Sequence, residues 1–311
     1  MTDTIDASLQ EQLQKLKQKY AAMGQDLSSY LDGLLHADYL TYWDYIHLDT
    51  LLSLQNPKTR FKDEKVFIVY HQITELYFNL ILWEIEQLVT MADLTEKFFC
   101  TRLDRINRYF QQLVNSFEIM VVGLEKEQFM KFRMSLLPSS GFQSGQYRMI
   151  EIAVTDLLHL IAPADRTSLH EGSPVEELIE KMYWRAGATE LATGKKTLTL
   201  QQFEEKYMAQ FIEMGNRFRN LNLRRLYLRH FPDSSEVKLR LRTLDELANV
   251  RWPLAHFKTA AKYLQKAPED IKATGGTNWQ KYLPPRFQKI FFFPELWNDT
   301  EKQEWGKAGL M

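Results

Sequence analysis

Cysteine is almost absent from this chain. Cys100 alone cannot close an intrachain disulfide, and its presence as a single thiol suits a reducing compartment. Proline and glycine are sparse, at 10 and 13 of 311 residues, which argues against a loop-rich or collagen-like chain. No charge of one sign dominates. Lys and Arg number 39 against 40 Asp and Glu, so the net charge of −1 offers no bulk attraction to nucleic acid or anionic lipid. Long apolar runs are missing too: the longest uncharged stretch, Met134 to Tyr147, is interrupted by Pro138, Ser139, Ser140 and Gly141. It falls short of the ~18 apolar residues of a membrane-spanning helix. The opening MTDTIDASLQEQ has neither the basic flank nor the apolar core of a secretory signal, and a cytoplasmic protein is expected. HExxH, Glu-x-x-His and CxxCH are all absent, which removes the zinc-protease, ferritin-like di-iron and covalent c-type haem signatures.

What is present is helical periodicity. With 45% hydrophobic residues the chain can bury a large core, and its apolar positions recur three or four apart rather than alternating. An all-α protein is predicted. The segment 6–25 is polar with a narrow stripe of Leu9, Leu13, Leu16 and Tyr20, a helix that packs lightly or against a partner. Residues 66–89 carry three charges only, Glu75, Glu84 and Glu86, and read as a core helix apolar on nearly all sides. Further helices are expected near 100–124, 126–137, 143–161, 174–189, 199–230 and 234–266. The breaks at 138–141 and 273–277 are small-residue loops where backbone can approach a ligand. The organisation predicted is an N-terminal helical arm over 1–38 and one helical domain over 39–311.

Seven histidines supply the candidates for chemistry. His71 in VFIVYHQITELYF and His256 in RWPLAHFKTAAKYL lie in apolar helical surroundings, where an imidazole is more often a hydrogen-bonded core residue than a ligand. Phe67 stands one turn before His71 and shares its helix face, placing an aromatic wall beside an imidazole. Such a pair suits a flat aromatic ligand with one N–H. Arg133 is either a surface arginine or, beside the Ser-Ser-Gly break, a fork for a carboxylate. The loop Thr274-Gly275-Gly276 is either a turn or a backbone cradle for a charged group. The run 217–230 contains Arg217, Arg219, Arg224, Arg225, Arg229 and His230 without an acid. Leucines 221, 223, 226 and 228 interleave with it, so a helix with one buried and one acid-pairing face is favoured over a nucleic-acid surface.

Six segments in order resemble the tryptophan 2,3-dioxygenase family: TYWDYIHLDTLLSLQ (41–55), FIVYHQITELYFNLILWEI (67–85), FRMSLLPSSGFQSGQYRMIE (132–151), RWPLAHF (251–257), ATGGT (273–277) and FFPELW (292–297). The likeness is weak over 155–240 and the first 38 residues. The resemblance implies an all-α enzyme that binds haem b over 39–311 and assembles as a homotetramer of paired dimers. It also implies cleavage of the indole ring of L-tryptophan by O2 to N-formylkynurenine, the first step of tryptophan catabolism through kynurenine. On this resemblance His256 matches the proximal iron ligand and His71 the distal histidine that accepts a hydrogen bond from the indole N–H. Phe67 matches the residue packing on the indole, Arg133 the carboxylate-binding arginine and Leu136 an apolar wall. Ser140 and Gly141 match the loop beside the haem, and Thr274 the contact to the substrate ammonium and carboxylate. Tyr42 and Tyr45 match tyrosines that reach the active site of the neighbouring subunit.

Four features depart from the family pattern. Phe129 stands where tyrosine is usual, and Pro253 lies three residues before His256 in a helix that generally has none. The interval from His256 to Thr274 is lengthened and contains Pro268, and Ala273 replaces a glycine. Two other readings remain open at this level: a haem monooxygenase of the same fold acting on a substituted indole, and a catalytically silent helical interaction protein.

Overall fold

The computed structural model describes residues 6–36, 41–136, 143–162, 165–188, 195–264 and 284–307. The chain divides by contacts into two units, Met1–Leu54 and Gln55–Met311. The first holds α1 (Ala7–Ala22), α2 (Leu27–His36), α3 (Tyr42–Tyr45) and α4 (Leu48–Ser53). Asp6 caps α1 and Thr41 caps α3. Its apolar side chains stay open: Leu34, Leu35, Tyr42, Tyr45 and Leu52 are all more than half exposed.

The second unit is all-α, as its periodicity predicts. Its only β pairing among the described residues is an isolated bridge between Ile161 and Met182. Two long helices form its centre, α5 (Asp63–Thr90) and α6 (Glu96–Val122), joined by a short turn that makes them antiparallel neighbours. Thr95 caps α6 at Phe98 N. That helix buries Phe99, Leu103, Ile106, Phe110, Leu113, Phe117 and Met120, alternating steps of four and three, a narrow seam that closes on α5 and on α12.

Around this pair stand α7 (Lys126–Phe132), α8 (Gly145–Val154), α9 (Val175–Glu180), α10 (Leu198–Phe218), α11 (Leu223–His230), α12 (Ser235–Glu246) and α13 (Trp252–Leu264). Helix α8 packs on α5 and α10, whereas α12 and α13 pack on α6. Short helices at Pro285–Gln288 and Asp299–Gln303 follow.

The structure differs from the sequence expectation in four places, the first being 174–189, where α9 ends at Glu180 and a separate 3-10 turn follows over Tyr183–Ala188. The stretch 199–230 is two helices, because Asn222 leaves the helical conformation and caps α11 at Arg225 N. The stretch 143–161 stops at Val154, where Thr155 is extended and commits its hydroxyl to His159 and to the Phe292 carbonyl. Finally, α5 is buried on one face only: Ile73, Leu76, Leu80 and Trp83 are 40 to 61% exposed. The basic run pairs with acids. Arg224 and Arg225 both hold Asp156, at 2.6 and 2.7 Å, and Arg217 holds Glu86 at 2.5 Å. Among the described residues no helix is long and apolar enough to cross a membrane.

Candidate functional site: two imidazoles in an aromatic cleft

Four helices bring aromatic side chains to one end of the core. From α5 come Phe67, Tyr70 and His71; from the end of α6, Phe117; from α7, Phe129 and Phe132; from α13, Trp252, His256 and Tyr263. Phe67 lies 4.0 Å from the His71 ring, as the one-turn spacing predicts, and meets Phe132 edge-on at 5.8 Å. Phe129 stands 6.4 Å from Phe67 and 4.9 Å from Tyr263. Tyr70 meets His71 edge-on at 5.4 Å, and Phe117 bridges to the other side, stacking parallel to His256 at 5.8 Å and touching Trp252 at 4.5 Å.

The protonation of both imidazoles follows from this setting. His71 Nδ1 is 2.7 Å from the Phe67 carbonyl, which can only accept, so Nδ1 carries the proton and Nε2 of the neutral ring keeps its lone pair. Desolvation pushes the His71 pKa down, although its surface is solvent-exposed. Burial pushes His256 down to about 4, and the charge of His71 pushes the same way. The two imidazoles therefore feel one another, from helices far apart in the chain. His256 has no hydrogen-bond partner among the described residues, so a neutral imidazole is available to ligate a metal. No group of three or more His, Cys, Asp or Glu suited to a metal occurs among the described residues, so a metal on His256 would arrive with its remaining ligands.

Helix α13 is fixed at both ends. Tyr263 donates to the Met120 carbonyl at 2.6 Å, tying the far end to α6. At the near end Asp245, fully buried, accepts from Asn249 Nδ2, the Phe292 and Phe293 amides and Trp297 Nε1, at 2.7 to 3.1 Å. This carboxylate joins the helix that leads to His256 to the FFPELW segment. Sequence reading missed it, since its partners lie some fifty residues on and nothing local marks them. Phe117 was missed likewise, though it continues the three-four seam of α6.

The remaining candidates fall in several places. Arg133 is half-buried, its guanidinium pKa lowered by desolvation, and it opens the single 3-10 turn that follows Phe132. Leu136 closes that turn, and its side chain lies outside the described residues, as do Ser140, Gly141, Pro268, Ala273 and Thr274. Tyr42 and Tyr45 belong to the N-terminal unit and are each 71% exposed. A recess of about 400 Å³ between α5 and α10, lined by Leu82, Trp83, Met214 and the Glu86–Arg217 pair among others, holds none of these residues.

The sequence pattern of the family described as Tryptophan 2,3-dioxygenase matches residues 33–180, the stretch that carries Phe67, His71 and Arg133. Over that stretch the chain resembles the tryptophan 2,3-dioxygenase family. It is 28% identical over 271 residues to the tryptophan 2,3-dioxygenase of Ruegeria sp. (strain TM1040), covering 84% of this chain and 92% of that protein. It is also 28% identical over 288 residues to that of Bacillus thuringiensis subsp. konkukian (strain 97-27), covering 86% and 95%. The tryptophan 2,3-dioxygenase of Polaromonas naphthalenivorans is 27% identical over 286 residues, with 83% and 90% covered. These matches take in most of the chain, including much beyond the family pattern itself.

Proposed function

We propose that this protein is a haem-dependent dioxygenase that cleaves the indole C2–C3 bond of L-tryptophan with O2, giving N-formylkynurenine. The observation that carries the reading is one aromatic cluster holding two imidazoles from separate helices: His71 beside Phe67 and Tyr70, Tyr70 against Phe117, and Phe117 stacked on His256. The chemistry of these residues suits a flat macrocycle held from one side: His256 offers an unprotonated ring, and Phe117 stacks on it. His256 is the proposed iron ligand, with Ser140 and Gly141 on the loop beside the haem. When bound, the haem supplies the activation of O2.

The chain supplies position. Phe67 gives a face for the indole ring, and the lone pair on His71 Nε2 accepts a hydrogen bond from the indole N–H, the donor and acceptor roles being set by the Phe67 carbonyl on Nδ1. Arg133, partly desolvated at the start of the 3-10 turn after Phe132, takes the substrate carboxylate, a charge-assisted pairing that offsets the burial of its guanidinium. Leu136 adds an apolar wall, and Thr274 contacts the ammonium and carboxylate. Burying a zwitterion and an indole together orients C2–C3 and excludes water. Phe129 leaves this wall apolar where relatives of the family usually carry a hydroxyl.

In the proposed assembly, a homotetramer, Tyr42 and Tyr45 serve the site of a neighbouring copy. Support comes from apolar surface that a single chain leaves open, Ile73, Leu76, Leu80 and Trp83 on α5 and the exposed apolar side chains of the N-terminal unit. A cytoplasmic setting accords with the single free Cys100.

The test is product analysis. Reduced, haem-loaded protein given L-tryptophan and labelled O2 is expected to yield N-formylkynurenine with two labelled oxygens and no demand for external reductant. A singly labelled product would replace the dioxygenase reading with a monooxygenase one, and a Soret band indifferent to His256→Ala would remove the ligand assignment.

A further inference from the structure

Pro253 poses a local problem three residues ahead of His256. A proline has no amide proton, and in a regular α turn its ring presses on the carbonyl four residues back, here Asn249. The chain widens at this point into a π turn over Leu247–Arg251, where the Trp252 N–H donates to the Leu247 carbonyl five residues back. In that register the next donor would be the N–H of residue 253, and its acceptor the Ala248 carbonyl. Proline cannot supply it. Ala248 is fully buried, so no surface water takes the place of the missing amide.

A side chain from another helix fills the gap. Tyr147 on α8, only 6% exposed, places its hydroxyl 3.0 Å from the Ala248 carbonyl. Its ring is held against Phe78 of α5 at 5.4 Å, so the hydroxyl cannot easily swing away. Burial raises the Tyr147 pKa well above its ordinary value, and the group remains a donor at any working pH.

We propose that Tyr147 acts as the surrogate donor for Pro253, and that this pair, by holding the π turn, sets the direction in which α13 presents His256. The geometric reason is simple. One extra residue in a turn rotates everything downstream by about 100° relative to a regular helix. With Asp245 clamped to Phe292, Phe293 and Trp297 just upstream, loss of the π turn would carry His256 off the face that stacks on Phe117. Tyr147 is thus a positioning residue. The second half of the proposal rests on His256 as the iron ligand.

The experiment is a double-mutant cycle on the full-length, haem-loaded chain with two readouts. Urea unfolding followed by far-ultraviolet circular dichroism reads the hydrogen bond whether or not haem is bound; the ferric and ferrous Soret spectra and the rate of haem loss read the direction of His256. Tyr147→Phe keeps the ring and deletes the donor, and is expected to lower the folding constant about tenfold, the usual effect of orphaning one buried carbonyl. Haem loss should accelerate by a similar factor, with a ferric spectrum of mixed axial ligation. Pro253→Ala restores a backbone N–H, so in that background Tyr147→Phe should change both readouts by less than about twofold.

Equal penalties in the two backgrounds, or a Tyr147→Phe protein indistinguishable from the parent, would overturn the proposal. If Tyr147→Phe alone does not fold, recovery of folding in the double variant supports it and continued failure overturns it. Coupling in urea without any Soret band that depends on His256 would overturn the aiming half and the ligand assignment together, while leaving the Tyr147–Pro253 link in place.

Discussion

Asp245→Ala is the most exacting perturbation of the scaffold behind the site. Asp245 is fully buried, and its two oxygens accept four hydrogen bonds: 2.7 Å from Asn249 Nδ2, 2.9 Å from Phe292 N, 3.1 Å from Phe293 N and 2.9 Å from Trp297 Nε1. Desolvation pushes its pKa up to about 6, against the pull of those four donors, so above that pH the carboxylate is ionised. Alanine removes the acceptor of four donors at once. Each orphaned buried donor costs ~1–3 kcal/mol, and since the four share one partner their costs do not simply add; a loss of ~4 kcal/mol is a cautious figure. Against a typical total of ~5–15 kcal/mol this is a large share. The assay is urea unfolding at pH 7.5, with Asp245→Asn alongside, which keeps one accepting oxygen and should lose less. Haem retention should fall in the same order, because Asp245 ties the FFPELW segment to the helix that leads to His256. A loss below about 1 kcal/mol for Asp245→Ala would refute the clamp.

Two further outcomes test the site and its surroundings. Arg133→Ala should raise the KM for L-tryptophan about tenfold to a hundredfold, the loss expected for ~1.5–3 kcal/mol of charged hydrogen bonding, with a smaller change in kcat; an unaltered KM would take Arg133 out of the substrate site. His159, whose Nδ1 lies 2.8 Å from Thr155 Oγ1, has its pKa pushed down to about 4 by burial and then by the charge of Arg224. Its folded pKa is below the unfolded value near 6.5, so its contribution to stability is present above pH 6.5 and is lost as pH falls toward 4. His159→Asn should therefore flatten the loss of folding free energy between pH 7.5 and 4.5 by up to ~3 kcal/mol, and an unchanged slope would contradict the assignment.

The helices, several of their caps and the seam of α6 were legible because each depends on neighbours three or four residues away. Phe67 and His71 sit 4.0 Å apart for that reason alone: two side chains one turn apart on a helix meet whatever the rest of the chain does. The same locality misled where long-range demands intervened. Residues 199–230 are periodic enough for one helix, yet Asn222 spends its side chain on Arg225 N and Asp156, and the helix ends. The apolar pattern of α5 suggested burial all round, yet within one chain half of it faces solvent at Ile73, Leu76, Leu80 and Trp83.

Pro253 was visible in the sequence as an anomaly, and its consequence was not. Whether a missing donor kinks a helix, frays it or is replaced depends on what stands across from it, and only the packing of α8 on the core brings the Tyr147 hydroxyl there. The sequence by itself determined an all-α chain, a family resemblance, and one aromatic–imidazole pair, because backbone periodicity and short-range spacing are properties of a few consecutive residues. The gathering of His71 and His256 into one aromatic cluster, the four-donor grip of Asp245 and the widened turn ahead of His256 were decided by tertiary structure, because they join groups whose approach is set by how whole helices pack.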